Sequence, residues 1–197
     1  MKNVTVALIG AGYGAFLHIN GYLKIHGVHV QVKSVVDIDL KKAHTFADKY
    51  GIEYATDNLD NVLHDPEIDV VDIVTPPILH IPFTVKALNA GKHVICEKPL
   101  TGYFGEAGDE KPIGRKVPKS KMFEKIMAQM DEARHVIENS SQLFMYAENY
   151  VYCPSVTKSA EIITTKKSKI LFMKCEESLR GSSSPVAGHW EKSGGGS

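Results

Sequence analysis

Short apolar runs alternate with longer amphipathic stretches through the first hundred residues, a rhythm that predicts repeated strand-helix-strand units and a parallel sheet. Residues 4–9 read as the first strand and 16–25 as the first helix. Residues 30–36 form the second strand, and 40–50 a helix with Ala43, Phe46 and Ala47 on one face, stopped by Gly51. A short third strand is expected at Tyr54, followed by a one- or two-turn helix capped by Asp57 and ending near His64. Residues 70–74 read as a short apolar fourth strand, 81–89 as a helix ended by Gly91, and 93–96 as a fifth strand. This is the pattern of an α/β doubly wound, Rossmann-type fold.

Between residues 101 and 120 the pattern breaks, with Gly, Pro and charged residues but no apolar period, and its 105–120 part reads as a lid over the site or an inserted surface loop. A helix resumes over 121–139, holding Met122, Ile126, Met130, Ala133 and Ile137 on one face. A sixth strand is expected at 143–147, a helix at 156–165 opened by Pro154 and Ser155, and a further strand at 170–175. The length of 197 residues is enough for one full domain and a piece of another.

Composition narrows the function classes. The 197 residues carry 23 Lys+Arg against 23 Asp+Glu, a balance that speaks against nucleic acid as a partner. No apolar run reaches the length of a membrane span, and glycines 10, 12 and 14 interrupt what would be the core of a secretory signal. Cys96, Cys153 and Cys175 lack metal-ligand spacing, so neither a metal site nor a disulfide framework is expected, and the cytoplasm is the default compartment.

Chemistry is concentrated where strands end. Gly10, Gly12 and Ala15 fit G-x-G-x-x-G/A between the first strand and first helix, a turn that also includes Tyr13 and Gly14. The first glycine permits the tight turn, the second lets a pyrophosphate approach the backbone, and the third position brings helix and strand together. Asp37 ends the second strand, 25 residues after Gly12. It reads as the acceptor for both ribose hydroxyls, which favours NAD over NADP, or as a strand-end surface residue or helix cap. Lys41 and Lys42 beside it can offset the repulsion of an added phosphate.

Thr75 and Pro76 close the fourth strand, with His80 soon after, where such a sheet opens its ligand crevice. His80 reads either as a wall of that crevice or as part of a helix start. Glu97, Lys98 and Pro99 follow the fifth strand at the same edge. A lysine there can donate to a reacting oxygen and stabilise developing negative charge. The same tripeptide recurs at Glu110-Lys111-Pro112 in the irregular stretch, where position assigns it no role.

The run Ala7-Leu8-Ile9-Gly10-Ala11-Gly12, with Asp37, Thr75-Pro76, His80 and the segment Gly91-Lys92-His93-Val94-Ile95-Cys96-Glu97-Lys98-Pro99-Leu100, resembles the Gfo/Idh/MocA oxidoreductases. The resemblance implies an NAD(P)-dependent dehydrogenase or reductase for a sugar, polyol or cyclitol, with Lys98 as active-site lysine and a cis Lys98–Pro99 peptide. It places Tyr152, within the segment Asn149-Tyr150-Val151-Tyr152-Cys153-Pro154, near the nicotinamide pocket, or else in a core; Val151 stands there in place of the family's usual arginine. His189 and Trp190 are further substrate candidates, a sugar stacking on the indole, or else packing residues. The resemblance further divides the chain into a nucleotide-binding domain over 1–148 and, over 149–197, the start of an incomplete α+β substrate domain. It implies a longer enzyme, a homo-oligomer, whose proton-accepting histidine follows Ser197, so that the 197 residues alone would be inactive. The alternatives are a non-catalytic NAD sensor of the same fold and a Rossmann reductase for a non-sugar substrate.

Overall fold

In the computed structural model, which describes residues 2–174, 176 and 185–195, six strands form one sheet. They are β1 (Lys2–Ile9), β2 (Val28–Val36), β3 (Tyr54–Thr56), β4 (Val70–Ile73), β5 (His93–Glu97) and β6 (Phe144–Ala147). Their order is β3-β2-β1-β4-β5-β6, and every neighbouring pair is parallel. Strand direction reverses its progress across the sheet at β1, the switch point where a Rossmann fold opens its crevice.

Side chains alternate across the sheet, so each strand serves two cores. Ala7 and Ile9, Val71 and Ile73, and Val94 and Cys96 face α3 (Leu59–Leu63) and α4 (His80–Asn89). Leu8 and Val35 face the other way, against Ala15 and Ile19 of α1 (Tyr13–Tyr22) and Ala43, Phe46 and Ala47 of α2 (Leu40–Tyr50). Each fully buried aliphatic side chain contributes about 1.5–3 kcal/mol, which is why the central strands are apolar on both faces. The α2 boundaries are those its periodicity predicts: Asp39 caps it by accepting the Lys42 N–H at 3.2 Å, and Gly51 leaves it at φ 65°.

Several expectations are corrected. Helix α1 starts and ends three residues earlier than the 16–25 pattern, because it emerges directly from the glycine turn with Gly12 as its N-cap. Asn58, not Asp57, caps α3, its side chain accepting the Asp60 N–H at 2.9 Å. Strand β4 is not wholly apolar, since Asp72 lies fully buried within it.

The 101–120 stretch is packed rather than irregular throughout. Tyr103, Ile113 and Val117 are buried with Met122, around a short helix α5 (Ile113–Lys116) and the start of α6 (Lys119–Asn139). Asp109 is the hub: it accepts from the Tyr103 hydroxyl, the Glu106 N–H and Lys121 Nζ. A cluster held by one carboxylate shows no apolar period in the sequence.

Beyond β6, α7 (Pro154–Thr165) forms as expected. The strand expected at 170–175 is absent over 170–174, where Leu171 and Phe172 are 89% and 83% exposed. An apolar run becomes a strand only with a neighbour to complete its ladder, and among the described residues none lies beside it. Cys175 lies outside the described residues. A last short helix, α8 (Trp190–Ser193), rests against the turn at 77–79. Among the described residues no helix is long and apolar enough to cross a membrane.

Candidate functional site

The crevice begins with the turn after β1. Gly10 has φ 108°, and a Cβ there would stand 3.0 Å from the Val74 carbonyl oxygen, so only glycine fits. Nothing lies within 4 Å of where a Cβ on Gly12 would be, which leaves open space over the turn. Gly14 brings α1 against β4, its missing Cβ lying 3.2 Å from that of Val74, and Ala15 behind it is fully buried. The first turn of α1 has no acidic side chain and no side-chain cap, so its N–H groups remain available to an anion. Tyr13 is exposed beside them and stacks on Phe16, ring centroids 5.8 Å apart.

Asp37 follows β2. Its Oδ2 accepts the Ala11 N–H and Lys42 Nζ, both at 2.9 Å, and its Oδ1 accepts the Asp39 N–H at 3.0 Å. Burial works against its charge, but Lys42 and the two N–H groups prevail and hold the carboxyl below its ordinary range. Beside it opens a cavity of about 350 Å³ lined by Ala11, Asp39, Lys41, Lys42, Thr45, Phe46 and Lys49.

Thr75 and Pro76 follow β4, and the buried Thr75 hydroxyl oxygen has no hydrogen-bond partner. His80, 1% exposed, opens α4 and turns its ring nitrogens to the carbonyl oxygens of Pro99 at 2.7 Å and Thr75 at 2.8 Å. It therefore ties the ends of β4 and β5 together, with its polar atoms turned to backbone. The Lys98–Pro99 peptide is cis, and so is Lys111–Pro112. Lys98 is exposed, and its backbone N–H donates to Glu97 Oε2 at 2.8 Å.

Beneath this edge lies a set of residues that the sequence reading missed. Asp72 on β4 and Glu97 on β5 point to the α1 face, opposite Val71, Ile73 and Cys96. His18 of α1 meets both: Nδ1 is 2.8 Å from Asp72 Oδ2, and Nε2 is 3.2 Å from Glu97 Oε1. Tyr22, one turn later, donates its hydroxyl hydrogen to Asp72. Burial would lower the His18 pKa, but hydrogen bonds and charge from Asp72 and Glu97 reverse this and raise it to about 10. Burial and then the Asp72 charge push the Tyr22 phenol up, while His18 and the Lys98 N–H hold Glu97 below its ordinary value against the effect of burial. The available signal was Asp72 itself, a carboxylate between valine and isoleucine, which must find a partner when buried.

The other candidates occupy different surroundings. Tyr152, in a turn after β6, is 75% exposed, and His189 is exposed. Trp190 belongs to the 103–122 cluster: its Nε1 donates to the Tyr103 carbonyl oxygen at 2.7 Å, and Lys119 Nζ lies 5.3 Å from the ring centroid. Among the described residues no three His, Cys, Asp or Glu side chains are grouped to hold a metal ion.

The residues at the crevice fit a dinucleotide. The anion-ready turn, the space over Gly12, the unpartnered Thr75 hydroxyl and the Asp37 carboxylate follow β1, β4 and β2, three adjacent strands.

Comparisons with known proteins agree with this architecture. The family described as "Oxidoreductase family, NAD-binding Rossmann fold" (Gfo/Idh/MocA) matches residues 4–112. Levoglucosan dehydrogenase of Pseudarthrobacter phenanthrenivorans is 36% identical over 106 residues, covering 51% of this chain and 27% of that protein. Inositol 2-dehydrogenase 1 of Paenarthrobacter aurescens is 32% identical over 144 residues, covering 71% of this chain and 42% of that protein. The apo structure of levoglucosan dehydrogenase superposes with a TM-score of 0.67 at 26% identity, over 84% of this chain and 39% of that one. Its NADH complex gives 0.64 at 25%, over 83% of this chain and 40% of that one. The matched segments thus span less than half the length of these relatives.

Proposed function

This chain belongs to the Gfo/Idh/MocA oxidoreductase family, and on that premise we propose that it forms the NAD-binding, lysine-bearing part of a dehydrogenase or reductase for a sugar, polyol or cyclitol. The observation that carries this reading is the gathering of Asp37, the glycine turn, Thr75-Pro76 and Glu97-Lys98 at the carboxyl ends of β2, β1, β4 and β5, four neighbouring strands. The levoglucosan and inositol dehydrogenases among its relatives support the substrate class.

When bound, the nicotinamide supplies hydride acceptance or donation. The turn and first N–H groups of α1 would hold the pyrophosphate, and Asp37 would accept from the adenosine ribose, a carboxylate that on its own favours NAD over NADP. Thr75 and Pro76 border the nicotinamide half, with the unpartnered Thr75 hydroxyl available to the ligand. Lys98 donates a hydrogen bond to the reacting oxygen and stabilises the negative charge it carries as an alkoxide, which builds up as hydride arrives at the carbon and is discharged into the carbonyl bond as hydride leaves. Glu97 fixes the Lys98 backbone, and His80 acts through the Pro99 and Thr75 carbonyls.

Residues 1–148 constitute the nucleotide-binding domain and residues from 149 onward belong to a substrate domain, from which Tyr152 and the exposed His189 approach the substrate, while Trp190 is engaged in packing against Tyr103. The whole protein works in the cytoplasm as a homo-oligomer. The test is a fluorescence titration of this chain with NADH. Saturable binding that is lost on Gly12→Glu, with the fold retained, is expected; absence of binding to wild type overturns the reading.

A further inference from the structure

The three donors already on Asp37 leave it short of acceptor capacity for an unmodified ribose. A carboxylate offers about four lone-pair sites. The Ala11 N–H, the Asp39 N–H and Lys42 Nζ occupy three. The two N–H groups belong to the glycine turn and the cap of α2, so neither can withdraw without unmaking those elements. Lys42 can, because its side chain is 49% exposed on a flexible four-carbon stem.

The 2′- and 3′-hydroxyls of NAD together require two sites, so Lys42 must leave Asp37 when that ribose docks. A ribose that carries a 2′-phosphate has only its 3′-hydroxyl to donate, and the fourth site accepts it with Lys42 in place. The ammonium between Asp37 and the phosphate then neutralises the former and donates to the latter. The adjoining cavity suits that anion. Lys41, Lys42 and Lys49 line it with the Thr45 hydroxyl, against one acid, Asp39, whose carboxylate is engaged by the Lys42 N–H. Lys49 is already held over the Phe16 and Tyr50 rings, 5.5 and 5.0 Å from their centroids.

We propose that Lys42 is the residue that sets cofactor choice, and that through it this pocket accepts NADP as well as NAD. Withdrawn from Asp37, it exposes the site for a free ribose; engaged, it presents a bridge to a 2′-phosphate. The inference rests on the dinucleotide site described under Proposed function, and takes from it only the location of the ribose. Asp37 alone would exclude the phosphate, and Lys42 removes that exclusion.

The experiment is a pair of fluorescence titrations, with NADH and with NADPH, on the wild-type chain, Lys42→Ala and Lys42→Arg, each checked for fold by circular dichroism. Wild type binds both, with dissociation constants within about tenfold of each other. Lys42→Ala weakens NADPH by about tenfold and leaves NADH unchanged or tighter, while Lys42→Arg retains NADPH. Wild type that binds NADH but not NADPH overturns the inference and leaves the dinucleotide site standing, as does a Lys42→Ala variant whose ratio of the two affinities is that of wild type. Binding of neither dinucleotide overturns both.

Discussion

His18 and Glu97 are joined across 79 positions of chain, Nε2 to Oε1 at 3.2 Å, and this contact fastens the helix that opens at the glycine turn to the strand that delivers Lys98. With Asp72 on its other nitrogen, His18 is a partly buried cation between two carboxylates. Below pH 6.5, the ordinary histidine value, folded and unfolded chains both carry the proton and the full contribution is present. From 6.5 to about 10 the unfolded chain has lost the proton that the folded chain keeps, so stability falls as pH rises. The slope reaches at most about 1.4 kcal/mol per pH unit. Urea unfolding of wild type between pH 6 and 10 should show this decline. His18→Gln should flatten it and cost about 3 kcal/mol at neutral pH, since the fully buried Asp72 then lacks its cation and the partly exposed Glu97 loses the same partner.

Gly10 and Gly12 of the turn should respond differently to alanine. Gly10→Ala places a methyl 3.0 Å from the Val74 carbonyl oxygen at φ 108°, so the melting temperature should fall, the strain costing about 1–3 kcal/mol. Gly12→Ala meets no atom within 4 Å and has φ −93°, so the fold should melt as wild type does. Its methyl projects into the space over the turn, and NADH affinity should drop. Calorimetry and a fluorescence titration on both variants separate the two effects.

Trp190 is the only tryptophan in the sequence, so its emission reports on the contact between 185–195 and the 103–122 cluster. A Cβ on Gly114 would stand 2.2 Å from the indole. Gly114→Ala should therefore displace the ring and shift its emission to the red, with little change in far-ultraviolet circular dichroism. An unchanged spectrum would contradict the placement of the indole against Gly114.

The cysteines should divide by reactivity. Burial pushes the Cys96 thiol up to about 12, with no exposed surface, whereas hydrogen bonds from Ser155 lower that of the partly exposed Cys153. Native-state alkylation followed by peptide mapping should find Cys153 modified well before Cys96, because the thiolate is the nucleophile.

Elements with their own periodicity and caps were legible in the sequence: α2 with its Gly51 stop, the glycine turn, and the strands that carry Asp37, Thr75 and Lys98. What escaped notice depends on contacts between distant residues. His18 and Tyr22 stand on one face of α1, but nothing in their spacing tells that Asp72 and Glu97 will be beneath them. Tyr103, Ile113 and Val117 become a core only because Asp109 collects donors from three places around them. The 170–174 run shows the converse, an apolar segment whose strand character depends on a neighbour.

The trio of His18, Asp72 and Glu97, built around the fully buried Asp72, also limits how these positions can change over evolutionary time. Loss of the imidazole strands two acids, and loss of Asp72 leaves His18 leaning on Glu97 alone and frees the Tyr22 hydroxyl inside the protein. Replacement of all three by apolar residues of matching volume carries no such penalty. Positions 18, 72 and 97 are therefore coupled as heritable characters, and sequences that diverge at one of them should diverge at the others in concert.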